Sequence, residues 1–121
     1  MKGAPVGWIA GYPAPVLQLA PDGIILASNG RAEADLGREV IGLPVDALLD
    51  APSSGAKWAR MLERARAAPV EGWELVLCAG DVPLEPRRFT LVPDDVGDHL
   101  WLVGQPADPR VDEIRAAVVE V

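Results

Sequence analysis

A single cysteine, a single histidine, one tyrosine and one phenylalanine are all that the 121 residues hold of those types. Each shortage excludes a class of chemistry. Cys78 has no second cysteine with which to close an intrachain disulfide. A cysteine-based metal cluster is excluded as well, because His99 alone cannot supply the missing ligands, and no metal is expected. A Ser–His or Cys–His nucleophile would have to be built on His99, which lies beside an acidic turn and reads as a solvated loop histidine. Positive charge is scarce too. Lys and Arg number 11 against 18 Asp and Glu, for a net charge of −7. A nucleic-acid partner, which needs concentrated Lys and Arg, is therefore not expected. The one charge-free run of note, Gly3 to Ala20, is broken by Pro5, Pro13, Pro15, Gly3, Gly7 and Gly11. So many breakers make a poor helix, and neither a signal peptide nor a membrane span is expected there. The expectation is a cytoplasmic chain without direct membrane contact, led by a loose arm over residues 1–14.

What is present suits one globular domain. Half of the residues are hydrophobic and 24% are charged, and the length allows one core. Two apolar runs, Val16 to Ala20 and Ile24 to Ser28, flank Pro21-Asp22-Gly23 and predict a hairpin. Asn29 is placed to cap a short helix from Gly30 to Leu36, and Gly37 to stop it. Pro44 suits the first turn of a second short helix, Val45 to Leu49, and a loop is expected from Asp50 to Gly55. Trp58, Met61, Leu62 and Ala65 share one face of a longer helix predicted over Ala56 to Ala68. Three strands are predicted after it: Trp73 to Cys78, Arg88 to Val92, and His99 to Val103. Asp108 and Pro109 then open a terminal helix on which Val111, Ile114, Val118 and Val121 fall at 3-4-3 spacing. The order of elements implies an α+β domain, a five-stranded antiparallel sheet with its helices on one face.

Several of these residues carry a family likeness. Asp22-Gly23-Ile24, the capping Asn29, Gly37 and Ile41-Gly42, then a longer helix before three antiparallel strands, resemble the pattern of PAS domains. The exit Leu100-Trp101-Leu102-Val103-Gly104-Gln105-Pro106, leading into a helix, is similar to the end of a PAS sensor. The likeness covers Val16 to Gln105. It implies a PAS-like sensor domain over residues 15–106 and, over 107–121, the start of a helical linker to an output domain beyond Val121. On that reading the chain is no enzyme. It is a regulatory module of a bacterial two-component signalling protein, such as a sensor histidine kinase, relaying a signal or dimerisation state through the C-terminal helix. A cyclic-dinucleotide synthase or phosphatase output is a second option. A ligand-free dimerisation scaffold is the alternative, with a small stand-alone enzyme behind it.

The likeness also bears on cofactors. Photosensory members carry a cysteine in the helical region, whereas Cys78 falls on a strand. Haem-binding members need a histidine near the long helix, and residues 51–68 contain none. No cofactor is predicted, although a non-covalent flavin or other small ligand stays open. The lining of a ligand pocket would be Trp58, Met61 and Leu62 with Leu75, Leu77, Phe89, Leu91, Leu100 and Leu102. The same residues serve equally well as a filled core, which is the favoured of the two. Trp101 and Val103 fall on the other face of the sheet, with Glu74 and Val76, and call for cover. Trp8, Trp101 and Val103, with Val111, Ile114 and Val118, are the expected interface of a homodimer. No catalytic residue is assigned. Asp94, Asp95, Asp98 and Glu85 lack the spacing of a calcium loop and read as turn residues.

Overall fold

The computed structural model describes residues 11–94 and 97–106. Trp8, Val111, Ile114, Val118 and the predicted C-terminal helix lie outside the described residues.

β1 (Val16–Leu19) and β2 (Ile25–Ser28) form the predicted hairpin. Gly23 sits at φ 92° in its turn, and the Asp22 carboxylate accepts the Ile24 N–H. Asn29 then caps α1 (Gly30–Leu36), and Gly37 ends it at φ 70° with its N–H on the Glu33 carbonyl. Val45–Leu48 makes one 3-10 turn. The predicted loop before the long helix is instead a wide π-type turn, Ala51–Gly55. The Asp50 carbonyl accepts the N–H groups of Ser53 and Ser54 and gathers the segment into a turn. α2 (Ala56–Ala65) ends three residues short of its predicted limit. Its last carbonyls turn to the tighter bonds Arg66 N–H to Glu63 O and Ala67 N–H to Arg64 O, and Pro69 then blocks continuation.

β3 (Val70–Leu75) begins before the predicted Trp73 and ends before Cys78. Gly72, at φ 69°, makes a bulge, so that Val70 pairs with Leu91 but Trp73 with Phe89. After Leu75 the chain leaves the sheet. Val76 exchanges backbone and side-chain bonds with Asp50 and Ser54, and Leu77 bridges to Leu49. Cys78 belongs to a separate small hairpin of β4 (Cys78–Ala79) and β5 (Val82–Pro83). β6 (Arg87–Pro93) and β7 (Leu100–Gly104) complete the main sheet, whose order is β2-β1-β7-β6-β3. The first strand therefore lies against the last, and the entry and the exit of the domain run side by side.

Pairing places Leu17, Leu102, Leu91 and Val70 in one row across four strands, all buried. Above that row lie Trp58, Met61 and Ala65 of α2 and Ala32 and Leu36 of α1, all in the same core. The helices thus cover one face. The other carries the rows Gln18–Trp101–Val92 and Val16–Val103–Thr90.

Candidate functional site

The nine residues expected to line a pocket come together. Trp58, Met61, Leu75, Leu77, Phe89, Leu91, Leu100 and Leu102 are buried in one cluster, and Leu62 packs half-buried against it. Gly23 lies directly over Trp58 and Leu62: a Cβ there would meet both at ordinary van der Waals distance. At one side of this cluster a cleft of about 150 Å³ reaches Leu75, Leu77 and Phe89.

The rest of that cleft comes from positions the sequence analysis did not assign to a pocket. Pro15 enters from the segment leading into β1, Asp35 from the last turn of α1, Leu84 and Glu85 from the segment after β5, and Arg87 from the start of β6. The floor is apolar and the rim is charged. Asp35 and Arg87 are half-buried, and Glu85 is exposed. No periodicity joins these positions, because helix end, loop and strand start meet only after the chain has folded.

Arg87 does two things at once. Its side chain lines the cleft, and its guanidinium Nη1 donates to the Gln105 carbonyl at 2.8 Å, at the end of the exit strand. Around it the Gly104 N–H donates to Pro15 O at 2.7 Å and the Gln105 N–H to Arg88 O at 2.8 Å. Gly104 is needed for this clasp. A Cβ at 104 would stand 3.1 Å from Arg87 Cδ, from Pro15 Cδ and from the Pro15 carbonyl oxygen. The backbone oxygen cannot swing away as a side-chain tip can. Gly104→Ala is therefore expected to cost about 1–3 kcal/mol through overpacking. A urea titration checks it, and a cost under about 0.5 kcal/mol would show that Pro15 is not held there.

The other face of the sheet presents Trp101 and Val103, both half-buried. Trp101 Nε1 donates to Asp94 Oδ2 at 3.3 Å. Glu74 pairs with Arg88 and shares this face, whereas Val76 does not, since it has left the sheet for Asp50 and Ser54. His99 is exposed, with Nδ1 3.4 Å from Gln18 Nε2. Cys78 is half-buried, and its thiol is pushed up from its ordinary pKa by burial and then by the carboxylates of Asp50 and Asp81. A thiol kept protonated in this way is a poor nucleophile at neutral pH. Among the described residues no three of His, Cys, Asp and Glu stand close enough to hold a metal ion. Among them, also, no helix is long and apolar enough to cross a membrane.

No family model matches the chain, and no curated protein does. Solved structures do. The PAS domain of an HTR-like protein from Haloarcula marismortui is 15% identical, over 82% of this chain and 90% of that one, with a TM-score of 0.66. A domain of a sensory box sensor histidine kinase/response regulator from Geobacter sulfurreducens is 14% identical, over 80% and 86%, at 0.66. The PAS domain of the quorum-sensing receptor RpfR from Cronobacter turicensis, solved in complex with BDSF, is 20% identical, over 83% and 99%, at 0.63. At such identity the agreement is one of backbone path: this chain has the PAS fold.

Proposed function

We propose that the chain is a sensory or regulatory module rather than an enzyme. It reads a small ligand or its own pairing and passes the result to the chain that follows Pro106. The supporting observation is Arg87, one side chain shared by the cleft and the exit strand. A change at the cleft moves the guanidinium, and the guanidinium holds the Gln105 carbonyl. The carrier of the signal beyond that point is a helix over 107–121 leading to an output domain of the histidine-kinase type. The solved neighbours include sensor-kinase and receptor domains, which favours this class of parent protein. A cytoplasmic homodimer is part of the proposal, paired through the sheet face bearing Trp101 and Val103.

Native mass spectrometry together with hydrogen exchange on Arg87→Ala tests the proposal. The expected result is a dimer or a non-covalent adduct in the unaltered protein, with exchange at Gln105 roughly tenfold faster in the variant, the loss of one charge-assisted bond. A dimer at bare polypeptide mass selects the ligand-free scaffold. A monomer at bare mass, with exit-strand exchange unmoved by Arg87→Ala, overturns the sensory reading.

A further inference from the structure

We propose that the cleft beside the exit strand binds a small organic amine, an ammonium group on a short apolar body. The proposal rests on the sensory reading and names the ligand class of that same site. Size comes first. The cleft measures about 150 Å³, and an apolar cavity of about that volume accepts a benzene-sized body. Chemistry comes next. Leu75, Leu77, Leu84, Phe89 and Pro15 offer an apolar floor, while Asp35 and Glu85 stand on the rim. Among the described residues that line the cleft, the one cation is Arg87, which donates from Nη1 to the Gln105 carbonyl. Among the described residues neither Asp35 nor Glu85 has a hydrogen-bond or ion-pair partner.

Charge complementarity then selects the class. An anionic ligand would bring a third negative charge to two carboxylates, against which the described lining sets one guanidinium, Arg87. A neutral ligand would leave both carboxylates as they are. An ammonium group satisfies them and leaves the Arg87 clasp intact, while the body fills the floor. The rim is open to water, so the charge contributes selectivity of roughly three- to tenfold rather than orders of magnitude.

Backbone amide NMR of the full chain tests this with three probes of similar size: benzylammonium, benzyl alcohol and benzoate. The expected result is saturable shifts at Leu75, Leu77, Leu84 and Phe89, with benzylammonium roughly three- to tenfold tighter than benzyl alcohol and benzoate weakest. The double variant Asp35→Asn, Glu85→Gln should bring benzylammonium and benzyl alcohol to equal affinity. Its urea midpoint reports whether the fold is kept, and the single variants, each expected to lose part of the preference, stand in if it is not. Equal or tighter binding of benzyl alcohol or benzoate at these amides overturns the amine and leaves the sensory module standing. Absence of saturable shifts with all three also overturns the amine, while the Arg87→Ala exchange experiment decides the sensory reading by itself.

Discussion

Phe89→Ala is expected to remove about 3–5 kcal/mol of folding stability, the cost of truncating a buried aromatic and leaving a void. Phe89 is 1% exposed, lies opposite Trp73 on one side and Gly104 on the other, and forms part of the cleft floor. A domain of this length has only about 5–15 kcal/mol in hand, so one substitution should bring it near the threshold of folding at 37 °C. The urea midpoint should fall with no change of slope. Leu62→Ala provides the contrast. Leu62 is half-buried at the margin of the same core, and its truncation should cost less than half as much. A Phe89→Ala cost below about 1.5 kcal/mol would mean that the walls close onto the void and that the core here is loosely packed.

Asn29→Ala should cost about 2–4 kcal/mol, because it removes a cap and a crosslink together. The Asn29 side chain is buried. Its Oδ1 accepts the Ala32 N–H of the first helical turn at 3.0 Å and the Val16 N–H at 3.1 Å, and its Nδ2 donates to the Ala14 carbonyl at 2.9 Å. Alanine would leave a buried donor on Val16 and a buried acceptor on Ala14 without their partner. Losing a cap alone costs about 0.5–2 kcal/mol, and the stranded groups add to that. Asn29→Ser separates the two parts. A serine hydroxyl can still cap the Ala32 N–H but is too short to span from Val16 to Ala14, so about 1 kcal/mol should return. Chemical denaturation of both variants measures the difference. A full recovery by serine would show that the crosslink to Ala14 contributes nothing.

Asn29 also shows how far the amino-acid sequence reaches. Its cap was legible, because Asn before Gly30 and Gly37 after Leu36 bracket a helix by local chemistry. Its grip on Ala14 and Val16 was not, because those groups come near only when β1 pairs with β2. The same division runs through the chain. Composition excluded an intrachain disulfide and cysteine-based metal clusters, and local patterns placed the first hairpin, both helices and the three long strands, because turns, caps and periodicity act over a few residues. The α2 face of Trp58, Met61 and Ala65 was legible for that reason, as was the PAS likeness, which lives in the same turns and caps. The bounds of β3 were not, since the Gly72 bulge and the departure at Val76 depend on partners at Phe89, Leu91, Asp50 and Ser54. Only the tertiary structure set β1 against β7 and brought Asp35, Glu85 and Arg87 to one rim. Strand order and cleft are made by contacts between distant residues, and no local pattern encodes which distant residue a side chain will meet.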